Sequence, residues 1–554
     1  MSSLIESIRD NVIGDSLNIS TPFGEKPLVY ADYTASGRSL QSIESFIQQK
    51  VLPWYANTHT ESSFTGRQTT RLREEARTTI RDAVNGKEDD LVIFCGSGAT
   101  AAINKLIDIL NMRLPADLDR EYQLDARIPA NNRPVVFIGP YEHHSNELPW
   151  RESIAEMVCI PLTSEGSMDS KELEIQLKKY QHRKLKIGSF SAASNVTGLK
   201  TDSASISRLL HRYGALAFWD YAAAAPYTAI DMTGEETAEG DSSKDAVFVS
   251  PHKFIGGPGT PGILVVKKDL LRNSVPAVPG GGTVSFVTPE EHSYIADGER
   301  REEGGTPAII ESIRAGLVFK LQQQVGTTQI EAREKDFIQR AIAVWQQNPN
   351  VEILGCPTKE RLSIVSLQIN CQGHFLHYGF VVALLNDLFG IQSRGGCSCA
   401  GPYGHQLLGI DRHASKEIER AVALGHMIIR PGWVRVNFNY FISEETFQYI
   451  VQAIDMVASH GWRLLPYYKF DESSAIWRFQ EQEPAVVASL TQFNVEEQNS
   501  ETYEKQHISL QQTLLAAKQE MLTERASETS YALQFPTEFE SLRWFTLPQE
   551  IAPI

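Results

Sequence analysis

The residues best suited to chemistry stand where apolar runs end. The run 247–249 gives way to Ser250-Pro251-His252-Lys253, and Gly256, Gly257, Gly259 and Gly262 follow before the next apolar run at 263–266. A lysine just past a buried strand, with a serine and a histidine before it and close-approach glycines after it, can be held near a bound anion and partly desolvated. Lysines tuned in that way form Schiff bases; the plainer alternative is a solvated lysine on a surface loop. Earlier in the chain, Cys95-Gly96-Ser97-Gly98-Ala99-Thr100 is a glycine turn opening a helix. The backbone N–H groups at Ala99 and its neighbours, with the Thr100 hydroxyl, suit an anion. The turn lacks the Gly-Lys-Ser/Thr ending of a nucleotide phosphate loop and is otherwise only a tight connection.

Three more polar clusters follow apolar runs. In Tyr141-Glu142-His143-His144-Ser145-Asn146, the His143 imidazole could lie flat on an aromatic ligand or move protons, or the cluster is a capping arrangement around Ser145. In Ser194-Asn195-Val196-Thr197-Gly198, Asn195 could hydrogen-bond a ring substituent or simply form a turn. Asp220 follows Ala217-Phe218-Trp219 directly. A carboxylate there is costly unless paired, and a protonated pyridinium nitrogen is a suitable partner; a helix N-cap is the alternative. An anion cradle, a stacking imidazole, a pyridinium carboxylate and a Schiff-base lysine, met in that order, fit a pyridoxal-phosphate site jointly.

The elements that must position these groups alternate. Apolar runs at 91–94, 134–138, 157–160, 185–190, 215–219, 246–249 and 262–266 are separated by helix-like segments near 99–111, 145–156, 169–181 and 201–213. That pattern predicts a mainly parallel, seven-stranded sheet with both faces covered, whose ligands bind beyond the carboxyl ends of the strands. A helix is expected over 68–84, long helices over 308–324 and 330–347, and then a smaller α+β domain with strands at 363–369, 391–393 and 433–439 and helices at 377–389, 416–428 and 444–459. The division expected is an N-terminal arm, 1–28; a large domain, 29–307; a small domain, 308–465; and an acidic C-terminal extension, 466–554. From 471 onward there is no glycine, and 14 acidic residues face 5 basic ones. Leu510, Leu514, Ala517 and Met521 have the spacing of an amphipathic helix within it. This tail is expected to wrap a dimer or act as a lid, or else to be a disordered extension.

With 42% hydrophobic and 22% charged residues, the composition is that of a globular protein. The net charge of −16 and the lack of a long basic cluster argue against nucleic acid as a partner. Six cysteines without CxxC spacing argue against a disulfide framework or structural zinc site and fit a reducing compartment. No apolar run reaches membrane-spanning length and no signal-like segment opens the chain, so a cytoplasmic protein without membrane attachment is expected.

The wording of these motifs resembles the class V, fold-type I, pyridoxal-phosphate-dependent aminotransferases, and within them the cysteine desulfurase and selenocysteine lyase branch. The stretches that carry it are Tyr30-Ala31-Asp32, Gly98-Ala99-Thr100-Ala101-Ala102-Ile103-Asn104, Glu142-His143-His144-Ser145-Asn146, Ser194 to Gly198, Ser250-Pro251-His252-Lys253 and Glu303-Gly304-Gly305-Thr306-Pro307, over roughly 28–460. The resemblance implies a phosphate held by Thr100, Ser250 and His252 near Ala99, with Thr306 reaching it from the neighbouring subunit of a homodimer. It implies that His143 stacks on the ring, Asp220 pairs with its nitrogen, Asn195 lies by the ring and substrate, and Lys253 carries the cofactor. One departure stands out: the glutamine that usually follows the aspartate by three residues is Ala223 here. The ring's phenolic oxygen must then find another donor.

In the small domain, Ser393-Arg394-Gly395-Gly396-Cys397-Ser398-Cys399-Ala400-Gly401-Pro402 resembles the desulfurase active-site loop, with Cys399 in the nucleophile's place. A thiolate near Arg394 would have a lowered pKa and could accept the sulfur as a persulfide. Cys397 is an addition that could reduce that persulfide, form a disulfide or do nothing. Metal binding by Cys397, Cys399 and His405 has atypical spacing, and no metal is expected. Arg435 resembles the arginine that clamps a substrate α-carboxylate, the alternative being a strand arginine paired to an internal acid.

The expected function is therefore cleavage of the Cβ–S bond of cysteine or a related amino acid, with a possible sulfur-acceptor protein as partner. Two alternatives stay open. One keeps the cofactor but makes the protein a β-elimination lyase, epimerase or aminotransferase. The other is a scaffold of the same fold acting through protein interaction.

Overall fold

The computed structural model describes residues 2–58, 60–480, 488–494, 508–525 and 530–551. These fall into two compact units: Met1–Ile13, Tyr33–Glu334 and Thr358–Leu362 form the first, and Gly14–Asp32, Lys335–Pro357 and Ser363–Ile554 the second.

The first unit is built on strands β1 (Asp90–Cys95), β2 (Val135–Ile138), β3 (Glu156–Cys159), β4 (Lys186–Ser191), β5 (Leu216–Asp220), β6 (Ala246–Val249) and β7 (Gly262–Lys267). They form one seven-stranded sheet in the order β1-β7-β6-β5-β4-β2-β3. Only β7 runs against the others, being antiparallel to both β6 and β1. Strands β1, β2, β4 and β6 are buried along their whole length, as expected for a sheet covered on both faces. The mainly parallel α/β fold foreseen from the alternating runs is thus the one observed.

Two helices matter for the site. Helix α1 (Phe64–Ala83) is capped by Ser63, whose hydroxyl accepts from the Gly66 N–H. Helix α2 (Gly98–Ile109) leaves β1 through the glycine turn. As an edge strand, β1 would leave N–H groups unpaired. Instead the Val92 N–H donates to Glu299 and the Phe94 N–H to Glu303, each at 2.7 Å. Glu303 is itself buried against Arg73 at 2.5 Å and Arg77 at 3.0 Å. Burial would raise its pKa, but the two guanidinium groups outweigh that and hold it below the usual carboxylate range.

One expected helix is replaced. Over 145–156 the chain forms a single-turn segment, His144–Asn146, and a four-residue helix, Leu148–Arg151, before entering β3 at Glu156. The reason is Asn146, which is fully buried and whose amide donates to Glu142 at 2.7 Å and to the Ser189 carbonyl at 3.2 Å. Those bonds tie the segment to the sheet and stop a continuous helix.

The second unit has an antiparallel sheet of β8 (Val351–Ile353), β9 (Ile364–Cys371), β10 (Arg394–Gly396) and β11 (Trp433–Asn437), ordered β8-β9-β11-β10, with His374–Phe375 paired to β9. Helices α3 (Tyr378–Phe389) and α4 (Glu444–His460) belong to it. The described parts of the C-terminal extension are built into this unit. Helix α5 (Leu510–Leu522) buries Leu514, Ala517 and Met521. The Trp544 ring stacks on His377 at 5.3 Å. His377 Nδ1 accepts from Trp477 Nε1 at 3.0 Å and from the Gly379 N–H at 3.1 Å, while its Nε2 meets the Ile428 carbonyl. Burial drives its pKa down to about 3, so a neutral imidazole satisfies the whole arrangement. Of the extension expected to wrap a dimer, act as a lid or be disordered, residues 481–487, 495–507, 526–529 and 552–554 lie outside the described residues. Among the described residues no helix is long and apolar enough to cross a membrane.

Candidate active site

The first unit gathers one cluster at the carboxyl ends of its strands. Gly98, at the start of α2, has φ of +57°, and a Cβ there would stand 2.9 Å from Ser250 Oγ. That space is used: Ser250 Oγ accepts from the Ala99 N–H at 2.8 Å. The serine hydroxyl keeps its own proton to donate to a bound anion. Thr100 Oγ1 lies 2.6 Å from Ser145 Oγ, which lies 3.0 Å from His143 Nδ1. The Ser145 N–H also donates to that nitrogen, at 3.1 Å. Thr100, Ser145 and His143 therefore form one hydrogen-bonded row beside the helix N-terminus.

His252 Nδ1 lies 3.2 Å from Ser36 Oγ, and the Gly37 N–H donates to the His252 carbonyl at 2.8 Å. Burial first, and the Lys253 charge second, lower the His252 pKa to about 4, so the ring is neutral. Asp220 ends β5 and is buried, with Oδ1 accepting from the Ala222 N–H at 2.8 Å. Its pKa is raised by desolvation; the Ala222 N–H and then the positive charge of Lys253 oppose that rise. Asn195 and Ala223 are both buried. Thr306 is exposed and accepts from Asn57 Nδ2 at 3.2 Å; the buried Glu303 three residues earlier anchors its loop.

Glu142 was named in the sequence only as part of a motif. It is a buried carboxylate that accepts from the Ser191 hydroxyl at 2.6 Å, Asn146 at 2.7 Å, the Ser191 N–H at 3.0 Å and the Gly139 N–H at 3.2 Å. Burial pushes its pKa up to about 7 despite those donors. It fixes the turn that carries His143.

The second unit gathers another set. Arg394 and Arg435 face each other across β10 and β11. Like charges in that position repel. Asp32 lies between them, with Oδ1 2.8 Å from Arg435 Nη2 and Oδ2 3.0 Å from Arg394 Nε. The Asn437 N–H donates to the Ala31 carbonyl, and Val29–Tyr30 pairs with Ile391–Gln392, so the backbone next to Asp32 is part of the same framework. Arg435 is nearly sealed, at 4% side-chain exposure, whereas Arg394 is half exposed. Asp32 is the internal acid of the alternative reading of Arg435; the sequence named it only within Tyr30-Ala31-Asp32, because a pairing across 403 residues leaves no mark on local spacing.

Beyond β10 the chain turns sharply. Cys399 is exposed, and Ser398 and Cys399 both have left-handed backbones, with φ of 52° and 55°. The Ala400 N–H donates to the Cys397 carbonyl at 3.2 Å, closing the turn. Cys397 Sγ donates to the Pro431 carbonyl at 2.7 Å, and burial pushes the thiol pKa up to about 11 against the pull of Arg430. The glycines here make room for Tyr378: a Cβ on Gly395 or Gly432 would come within 2.7 or 2.6 Å of its ring. Tyr378 in turn stacks on Trp544 at 6.0 Å and 7°.

The seven-stranded α/β sheet, with a lysine, a buried carboxylate and a helix N-terminus at its strand ends, defines a fold-type I pyridoxal-phosphate architecture. Residues 29–440 match the aminotransferase class-V family, and the chain belongs to it. A probable cysteine desulfurase of Staphylococcus epidermidis is 27% identical over 396 residues, covering 71% of this chain and 87% of the relative. One from Staphylococcus aureus is 27% identical over 397 residues, covering 71% and 88%. Among solved structures, a cysteine desulfurase from Thermococcus onnurineus superposes with a TM-score of 0.64 at 21% identity, over 82% of this chain and 98% of that one. One from Escherichia coli gives 0.60 at 20% identity, over 78% and 94%. The family resemblance and the fold it implied are thereby established.

Proposed function

We propose that the protein is a pyridoxal-phosphate-dependent cysteine desulfurase, converting cysteine to alanine and leaving the sulfur as a persulfide on Cys399. What supports it is the presence in one chain of the aminotransferase class-V family of a lysine, carboxylate, imidazole and anion-cradle set and of an exposed cysteine on a glycine-rich turn. The donor set fits the cofactor. A helix N-terminus with Ser250, Thr100 and neutral His252 suits a phosphate, and a desolvated Asp220 suits a pyridinium N–H. His143 would cover the ring face, Asn195 a ring substituent and the substrate, and Lys253 would hold the cofactor covalently. When bound, the cofactor supplies an electron sink for bonds at the substrate's α- and β-carbons.

The residues of the chain then do the following. Arg435 and Arg394, oriented by Asp32, bind the substrate carboxylate. Lys253 takes the α-proton on Nζ and later returns one to the product carbon. Asp220 would pair with a protonated ring nitrogen. Cys399 forms an S–S bond to the substrate sulfur as the substrate's C–S bond breaks, so one thiol and cysteine become one persulfide and alanine. Thr306, exposed on its own protomer, reaches the phosphate bound by a second copy in a homodimer. The setting is cytoplasmic, and a sulfur-acceptor protein takes the persulfide sulfur. In the purified holoenzyme, Cys399→Ala is expected to abolish alanine formation from cysteine while the bound cofactor keeps its visible absorbance. Unchanged turnover overturns the proposal. Ala223 in place of a ring-contacting glutamine keeps a second reading open, the same cofactor used for β-elimination, epimerisation or transamination; pyruvate and ammonia in place of alanine would establish elimination, and a keto acid formed only with an amino acceptor transamination.

A further inference from the structure

We propose that Cys397 is a resolving thiol for a persulfide on Cys399, closing a Cys397–Cys399 disulfide and releasing the outer sulfur as hydrogen sulfide. This rests on the desulfurase function above for how the persulfide arises in turnover. The carrying observation is the turn itself. Cys397 to Ala400 is closed by the Ala400 N–H on the Cys397 carbonyl at 3.2 Å, with both central residues left-handed. Turns of that kind are normally made by glycine, asparagine or aspartate. A serine and a cysteine there are strained, and strain of this kind clusters at functional sites. A β-turn holds its first and fourth Cα atoms within about 7 Å, and a disulfide spans Cα atoms about 4.4–6.8 Å apart. Consecutive Cα atoms lie about 3.8 Å apart, so the chain bent at Ser398 brings the Cα atoms of Cys397 and Cys399 into that range.

The two sulfurs differ in a way that suits the roles. Cys399 is exposed, where a substrate or acceptor reaches it, while Cys397 is half-buried with Sγ pinned on the Pro431 carbonyl. In the step, Cys397 Sγ attacks Cys399 Sγ. The new Sγ–Sγ bond forms, the bond from Cys399 Sγ to the outer sulfur breaks, and that sulfur leaves with the electron pair and the Cys397 proton. The outer sulfur is reduced to sulfide and the two cysteines are oxidised to a disulfide, which a dithiol reductant from solution must reopen. Burial keeps Cys397 as a thiol at neutral pH, with Arg430, Cys399 and Tyr378 the ionisable groups facing it. Because the thiolate is the attacking form, burial slows this step, and hydrogen sulfide is released when no acceptor takes the sulfur first.

The test loads Cys399 with inorganic polysulfide in the full-length holoenzyme, without cysteine and without reductant. Wild type is expected to release hydrogen sulfide and to yield, after denaturing alkylation and digestion, a loop peptide two hydrogens lighter with neither cysteine alkylated. Cys397→Ser is expected to retain the persulfide on Cys399. A wild-type persulfide that lasts as long as that of Cys397→Ser, or sulfide release with both cysteines still alkylated, overturns the proposal. The wild-type peptide mass decides the matter even if the variant does not fold. Because polysulfide loads the thiol without turnover, this result is independent of whether cysteine yields alanine, which tests the desulfurase function itself.

Discussion

In the first unit the candidate groups stand at the ends of buried strands, and each is held by another: Ser250 by the Ala99 N–H, His143 by Ser145, His252 by Ser36. In the second unit the candidate nucleophile is exposed on a strained turn, and the two arginines of β10 and β11 are held by a single carboxylate, Asp32. The first arrangement suits a group that stays bound, with phosphate and ring fixed by many weak contacts. The second suits a sulfur that must leave. Stability and chemistry should therefore respond differently to substitution in the two places.

The largest difference is expected at Asp32. Asp32→Ala leaves Arg435 buried without its counter-charge, and breaking a buried pair in this way costs about 3–5 kcal/mol. Arg394→Ala removes the half-exposed partner and should cost no more than about 1 kcal/mol. Urea-unfolding midpoints of the two variants test this. Equal losses would mean that the second cluster is held as uniformly as the first.

Glu142 provides the corresponding test in the first unit. Its folded pKa of about 7 lies above the value of about 4.5 for an unperturbed glutamate. The folded protein thus binds the extra proton between these values. The contribution to stability is fully present below about pH 4.5 and is lost as pH rises through 7, on the order of 3 kcal/mol. In Glu142→Gln this pH dependence should disappear: the gap in urea midpoint between pH 5 and pH 8 should narrow relative to wild type. An unchanged gap would mean that Glu142 is ionised throughout and that its hydrogen bonds outweigh its burial.

The two regions also differed in how far the chain announced them. Strands buried on both faces read as unbroken apolar runs, so all seven strands of the large sheet, and the polar residues after them, were legible. The segments β8 and β10 were not: Val351–Ile353 is too short to show a period, and Arg394–Gly396 has no apolar residue, being a strand only because β11 pairs with it. Asp32 meets Arg435 across 403 residues, a pairing that local pattern does not encode. The tail was legible as an amphipathic helix but not in its destination. Trp477 and Trp544 find their place only because His377 offers an acceptor to one and a ring face to the other.

The smallest expected effects have opposite signs in the two regions, although the backbone conformation is the same. Gly98 and Ser398 both have left-handed φ, at +57° and 52°. Gly98→Ala adds a Cβ to a conformation that disfavours one, about 1–2 kcal/mol, and sets it 2.9 Å from Ser250 Oγ. It should lower both the melting temperature and the affinity for added pyridoxal phosphate. Ser398→Gly removes that same penalty from the cysteine turn and, after the greater freedom of glycine in the unfolded chain, should raise stability by about 0.5–1 kcal/mol. Its melting temperature should rise by a few degrees while polysulfide-loaded protein closes the Cys397–Cys399 disulfide more slowly, because glycine lets the turn leave the bent conformation that brings the two residues close. A stabilised variant that closes the disulfide at the wild-type rate would separate the strain from the chemistry and leave the turn's conformation without a role in it.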